Sequence, residues 1–290
     1  MVHGGDRRHP LARRGVSARV ARRRLDAELV RRGLVASRSE AQSAVRDGLV
    51  LVSGSPAEKP STLVDPADPL ELVAPARRFV SRGGDKLSAA LDRFEVDPAG
   101  RRALDAGAST GGFTDCLLQR GAAHVVALDV GYGQLAWSLR TDERVSVLER
   151  TNVRELTPAH LPYAPDLVVA DLSFISLSLA VPALARVAEP GSDFVVLVKP
   201  QFEAGPEQVG RGGVVRDPEV WRRVLGDVAN SFAQAGLSPR GAMASPLAGP
   251  AGNVEFFLHA VGVTGTEPVE LSAEVLDRAV AEGRLIGGAA

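Results

Sequence analysis

The sequence is poor in cysteine, in lysine and in long apolar runs, and each shortage narrows what the chain can be. Its one cysteine, Cys116, lies in an apolar-periodic stretch and has no partner for an internal disulfide, which suits a reducing cytoplasm. No run of about 18 apolar residues exists, so no membrane-spanning helix is expected. The Arg-rich start lacks the apolar segment of a secretory signal. Five histidines (His3, His9, His124, His160, His259) show no ligand spacing, and no metal site is expected. Internal repeats are absent. The lysine shortage is the most informative. Only Lys59, Lys86 and Lys199 stand against 31 arginines, so where positive charge alone is wanted this chain writes Arg. A retained lysine implies a compact ammonium able to exchange a proton, which Arg cannot do.

What is present is enough chain, 290 residues with 45% hydrophobic, for one full-sized domain and a smaller one. A net charge of -1 conceals an asymmetry. Residues 1–60 carry 13 bases against six acids, while the rest carries 21 bases against 29 acids. A basic first fifth on an acidic chain points to a phosphate-rich partner.

Residues 1–22 read as a basic, disordered extension. From Arg24 the pattern tightens. Leu25 and Leu29 share the face of a short helix that Gly33 ends, with Leu34 folding back onto it. Ser37 and Glu40 have capping-box spacing for a second helix that stops at Gly48. A strand (Leu49–Val52), a Gly-Ser-Pro turn and an extended stretch near Leu70–Val73 complete a small module. Its arginines, with Lys59, form a basic cluster. Arg24, Arg38 and Lys59 are the candidate phosphate contacts.

Ser81-Arg82-Gly83-Gly84 then leads into an amphipathic helix with Leu87, Leu91 and Phe94 on one stripe. Beyond Arg101, apolar runs alternate with helical patterns: Ala103–Leu104, Val125–Leu128, Val145–Leu148, Leu167–Ala170 and Phe194–Val198. This alternation predicts an α/β domain with a parallel sheet. Ala242–Ala244 and Val254–Val261 are spaced for a terminal hairpin.

Asp105-Ala106-Gly107-Ala108-Ser109-Thr110-Gly111-Gly112 follows the first of these strands and opens a helix. It is neither the dinucleotide pattern nor a P-loop. An acid two residues before the first glycine suits an amino-bearing ligand such as S-adenosyl-L-methionine better than a pyrophosphate. Asp129, ending the second strand, is placed to accept the hydrogens of a ribose diol.

Charged residues recur at the carboxyl ends of the strands, where open α/β sheets bind ligands: Asp105, Asp129, Asp171 and Lys199. Lys86 sits in what reads as the first turn of its helix, where a cation opposes the macrodipole, a local cost that hints at function. Methylating a ribose hydroxyl would need a deprotonated or polarised nucleophile, an in-line methyl donor and exclusion of water. A lysine supported by a second cation and by orienting carboxylates would meet the first need. Glu255, at the start of the last strand, is a weaker candidate for the same group.

These residues lie in strings that resemble the TlyA-type ribosomal RNA 2′-O-methyltransferases, historically called hemolysins, whose catalytic domain is related to the FtsJ group. The matching strings are LDAELVRRGL, VSRGGDKL, LDAGASTGGFTD, HVVALDVGYGQLAWSLR, LERTN, DLVVADLSFISL, LVKPQFEAG and GPAGNVEFFL, running from about Arg24 to Val261. The resemblance implies a Rossmann-like α/β methyltransferase domain joined to a small α+β RNA-binding module of the S4 type. The implied division is an extension (1–22), the S4-type module (23–76), a linker (77–80), the methyltransferase domain (81–265) and a C-terminal helical tail (266–290). It also implies a catalytic tetrad on Lys86, Asp171, Lys199 and Glu255. The cofactor positions fall on Asp105, Gly107, Ala108, Ser109, Thr110, Gly111 and Asp129, with Asn152 nearby. The implied substrate is a cytidine of ribosomal RNA, in the small subunit and, for members with the longer N-terminus, also in the large one, as free RNA or in a subunit; a cytoplasmic monomer is expected. Two features depart from the family pattern. The linker reads Arg77-Arg78-Phe79-Val80 where members often have Arg-Ala-Trp-Val, and residues 1–22 have no family counterpart.

Two other classes compete. A membrane-active protein would need a spanning helix, a strongly amphipathic basic helix or barrel strands, and none is evident. A non-catalytic ribosome-assembly factor would have an eroded glycine loop or tetrad, and neither is seen.

Overall fold

The computed structural model describes residues 1, 22–35, 37–46, 48–73, 78–249, 251–263 and 270–287. Residues 2–21 of the basic extension, and Arg77 of the linker, lie outside them. The chain forms two compact units, Met1–Arg77 and Arg78–Ala290.

In the first unit, β1 (Arg23–Arg24) leads into α1 (Leu25–Arg31) and α2 (Arg38–Arg46), followed by β2 (Val50–Val52), β3 (Ser55–Pro56), β4 (Leu63–Val64) and β5 (Leu70–Leu72). The end of α1 is closed by the Gly33 N–H on the Val30 carbonyl and the Leu34 N–H on the Leu29 carbonyl, the paired bonds of a Schellman turn. The Ser37 hydroxyl caps α2 by accepting the Glu40 N–H. Strands β3, β2 and β5 form one antiparallel sheet, and β1 pairs with β4. Leu25, Leu29, Ala41, Val45, Val50 and Val64 make the core.

The second unit is built on one seven-stranded sheet. Its strands are β6 (Arg102–Ala106), β7 (His124–Leu128), β8 (Val145–Leu148), β9 (Leu167–Ala170), β10 (Asp193–Val198), β11 (Leu237–Ala244) and β12 (Phe256–Gly262), in the order β11-β12-β10-β9-β6-β7-β8. The pairings from β10 through β8 are parallel, while β12 runs antiparallel to both of its neighbours. The helices are α3 (Arg82–Phe94), α4 (Gly112–Gln119), α5 (Trp137–Arg140), α6 (Leu177–Val187), α7 (Pro200–Glu203), α8 (Pro218–Gln234) and α9 (Ala273–Gly287).

The central strands are apolar throughout because both faces are covered. Val168, Val196 and Phe256 face a core completed by α6, α8 and α9. Alternate residues Leu167, Val195 and Phe257 face the opposite core, under α3 and α4. The chain order of the parallel strands reverses between β6 and β9, and a crevice opens at their carboxyl ends.

Three expectations change. Helix α3 begins at Arg82, capped by the Ser81 hydroxyl on the Gly83 N–H, so both glycines lie inside it and Lys86 is in its second turn. A helix dipole acts within the first turn, so no dipole penalty applies to Lys86. The residues expected as linker are anchored: Phe79 is buried among the α3 and α4 side chains, and the Val80 N–H donates to Asp115. The expected tail is also structural. Leu276, Ala279 and Val280 of α9 are buried in the main core.

Candidate active site

The glycine loop begins as the chain leaves β6. Gly107 has φ 88°, and a Cβ there would lie 2.5 Å from the Asp171 carbonyl oxygen. Only glycine satisfies both conditions, so the loop can pass tightly over the end of β9. The Gly107 and Ala108 N–H groups donate to the Leu128 carbonyl, tying the loop to β7. Asp129, just after β7, accepts the Ser109 N–H on one oxygen and the Gly131 N–H on the other, both at 2.7 Å. The carboxylate is thereby fixed with lone pairs to spare.

Beside this loop is a cleft of about 760 Å³ whose lining includes Gly107, Ser109, Asp129, Asn152, Asp171 and Phe174. The Asn152 side chain caps a short 3-10 turn by accepting the Arg154 N–H. Ala108 borders a small adjoining recess. Thr110 and Gly111 shape the loop from behind: the Thr110 carbonyl accepts the Ala136 N–H, and Gly111 caps α4.

Asp105, the acid expected to meet an amino-bearing ligand, does not line the cleft. It is fully buried, and its Oδ2 accepts the Thr114 hydroxyl at 2.6 Å. Its Oδ1 has no partner among the described residues. Burial pushes its pKa up to about 7, against the Thr114 hydrogen bond.

Two ion pairs stand at the carboxyl edge of the sheet. Lys199 directly follows β10, and its Nζ lies 2.7 Å from Oδ1 of Asp171, the residue directly after β9. The same ammonium donates to Ser173 Oγ at 2.8 Å and lies 5.8 Å from the Phe202 ring centroid. Lys86 Nζ lies 2.5 Å from Glu255 Oε2, and both side chains are buried. The β10–β12 ladder pairs Val198 with Phe256, so one step further along it brings Lys199 and Glu255 to neighbouring strand ends. Glu255 is the residue just before β12 rather than its first member. Lys86, Lys199 and Glu255 do not line the cleft, whereas Asp171 and Ser173 do.

Sequence reasoning missed the residues that join the two loops after β9 and β10. Phe174 and Phe202 have ring centroids 5.1 Å apart. Glu203 accepts the Ser176 hydroxyl at 2.6 Å and the Leu177 N–H at 2.8 Å. The one sequence signal for Glu203 is an acid four residues after Lys199.

In the first unit, Arg24 and Arg38 converge on one buried carboxylate. Asp26 accepts Arg24 at 2.9 Å and Arg38 at 3.2 Å, leaving the two arginine side chains 47% and 58% exposed. The hydrogen bond from Arg24, with further bonds from Gln42 and Arg38, holds the Asp26 carboxyl well below the usual range. Lys59 is exposed on a turn whose Pro60 and Thr62 carbonyls accept the Asp26 and Leu25 N–H groups. All three candidate contacts therefore gather at the start of α1.

The FtsJ-like methyltransferase family matches residues 79–261, and the S4 domain matches residues 23–70. A 16S/23S rRNA (cytidine-2′-O)-methyltransferase TlyA from Mycobacterium tuberculosis is 53% identical over 270 residues, covering 90% of this chain and 98% of that protein. The chain belongs to the TlyA-type, FtsJ-like methyltransferases. Hemolysin A of Brachyspira hyodysenteriae is a more distant relative of this TlyA-type chain, 36% identical over 81% of it and 98% of that protein. A solved structure from Streptococcus thermophilus with a provisional hemolysin name superposes with a TM-score of 0.72 at 38% identity, covering 93% of this chain and 98% of that one. No helix among the described residues of the TlyA-type chain is long and apolar enough to cross a membrane. No group of three His, Cys, Asp or Glu side chains among them could hold a metal ion.

Proposed function

We propose that this chain uses S-adenosylmethionine to methylate the 2′-hydroxyl of a cytidine in ribosomal RNA, the position given in the name of a 53% identical relative. The observation that carries the reading is the Lys199–Asp171 ion pair, whose aspartate lines the cleft beside the glycine loop, as does Ser173, the other partner of the lysine. A solvated strand end needs no such pairing of the chain's scarce lysines.

The residues present fit the cofactor. Gly107, Ser109 and Asp129 line the cleft, the Asp129 carboxylate has lone pairs beyond its two backbone bonds, and buried Asp105 Oδ1 lacks a partner among the described residues. Asp129 would hold the ribose hydroxyls, the Gly107–Gly111 backbone the methionine end, and Asn152 a neighbouring edge. S-adenosylmethionine, when bound, supplies a methyl group on a sulfonium.

The chain's own part is to prepare the nucleophile. In this reading Lys199 takes the 2′-hydroxyl proton, and Asp171 and Ser173 orient its ammonium group. Lys86 and Glu255, joined in a buried ion pair that does not line the cleft, support the site without touching the reacting hydroxyl. The S4-type module, through Arg24, Arg38 and Lys59, holds the RNA by its phosphates. The proposed division of labour is residues 23–76 for RNA and 81–265 for transfer, in a cytoplasmic monomer.

The decisive experiment combines calorimetry of S-adenosylmethionine binding with mapping of 2′-O-methyl groups on ribosomal subunits. Wild-type protein is expected to bind the cofactor and to modify a cytidine. Lys199→Ala is expected to bind both partners without transfer. Full methyl transfer by Lys199→Ala or Asp171→Ala, with RNA binding unchanged, would overturn the reading.

A further inference from the structure

The carboxylate of Glu203 lies outside the tetrad, yet it joins the two loops that carry Asp171 and Lys199. Strands β9 and β10 are parallel neighbours with Ala170 opposite Val196, so the chain leaves both at one edge of the sheet. After β9, residues 171–176 run irregularly along the cleft before α6 begins at Leu177. After β10, the chain turns at once into the four residues of α7, which end on Glu203.

Glu203 reaches across this gap. Its Oε1 takes the Leu177 N–H, one of the unpaired donors at the start of α6, and its Oε2 takes the Ser176 hydroxyl. The positive end of an 11-residue helix favours a carboxylate there. The same two loops are joined by the Phe174–Phe202 ring contact and by Lys199 on Ser173. A cap from α6's own loop, Ser176 Oγ on the Ser178 N–H, is already present. The longer reach of Glu203 therefore ties the second loop to the first.

We propose that Glu203 is a positioning residue for the Lys199–Asp171 pair, fixing the 171–176 segment against the loop that bears the lysine. The proposal rests on the methyl-transfer reading above. Glu203 touches neither cofactor nor RNA in this role. It acts through the separation and orientation of two groups that do.

The test compares Glu203→Ala, Glu203→Gln and wild type. Gln can accept the Leu177 N–H on its oxygen and donate its NH2 to the Ser176 hydroxyl, so it keeps both links. Glu203→Ala is expected to lower kcat by roughly 10- to 100-fold, the scale of a misplacement of about 1 Å. The pH dependence of kcat should shift with it, the KM for S-adenosylmethionine should stay within about threefold, and Glu203→Gln should restore most of the rate. A second readout is independent of turnover. With only three lysines, the 13C-labelled Cε resonances can be assigned by Lys→Arg variants. The Lys199 signal should move in Glu203→Ala while those of Lys59 and Lys86 stay still. An unmoved Lys199 signal overturns the proposal, as does a Glu203→Gln rate as low as that of Ala at an unchanged pH profile. If wild-type protein fails to methylate RNA, the methyl-transfer reading falls, and the resonance test still judges the positioning role.

Discussion

Lys199 and Asp171, which directly follow neighbouring parallel strands, meet in an ion pair of 2.7 Å, and the same ammonium donates to the Ser173 hydroxyl. Most expectations about catalysis follow from this contact.

Lys199→Arg tests whether charge alone suffices. A guanidinium can pair with Asp171 but does not give up a proton near neutral pH. Single-turnover methyl transfer should fall by about 10²- to 10⁴-fold, the usual contribution of a general base. Calorimetric affinity for S-adenosylmethionine should be unchanged.

Asp105 predicts a pH dependence of stability. Its pKa is raised by burial to about 7, so the folded state binds the proton more tightly than the unfolded chain does. The stabilisation is complete below the unfolded value, near 4, and is lost as pH rises through about 7. Thermal unfolding of the cofactor-free wild type should therefore show a declining Tm between pH 5 and pH 8. In Asp105→Asn, which mimics the protonated acid and can keep the Thr114 contact, this component of the decline should vanish. The difference should be of order 2 kcal/mol, or about 4–8 °C.

Gly84 allows Phe79 to lie against α3, and a Cβ there would overlap the Phe79 ring. Gly84→Ala should cost about 1–3 kcal/mol from overpacking. Phe79→Ala should cost about 3–5 kcal/mol. In denaturant melts the double variant should lose less than the sum, because removing the ring relieves the overlap.

Arg24, Arg38 and Lys59 should govern RNA affinity without touching the cofactor. Each alanine variant should weaken binding to ribosomal RNA and reduce the slope of log affinity against log salt by about one. Filter binding across a salt series checks this. An unchanged slope for all three would remove them from the RNA surface.

Much of the site was legible because parallel strands bury both faces. Four- to six-residue apolar runs stand out, and the charged residue that ends each run marks the ligand edge. Asp129, Asp171 and Lys199 could be picked out in this way. Asp105 follows the same rule but turns inward, since its environment depends on Thr114 and on packing that no strand pattern reports. Glu255 was weak from its residues alone and rested on the family resemblance. Its partner Lys86 is 169 positions away, and their meeting depends on the reversed β12. Lys86 was noticed partly for a mistaken reason. Ser81 starts the helix earlier than expected, and burial against Glu255 is what distinguishes this lysine. Asp26 and Glu203 escaped notice because each works by joining segments whose proximity is tertiary.

The position of β12 also bears on how the molecule is made. Strands β6 to β10 are complete in sequence before β11 and β12 are synthesised, yet β12 is the strand that covers β10. Until that hairpin emerges from the ribosome, the apolar Phe194–Val198 run presents an open hydrogen-bonding edge. Such an edge invites pairing between chains. A message truncated before Phe256 would therefore yield aggregates in place of a smaller, slower enzyme.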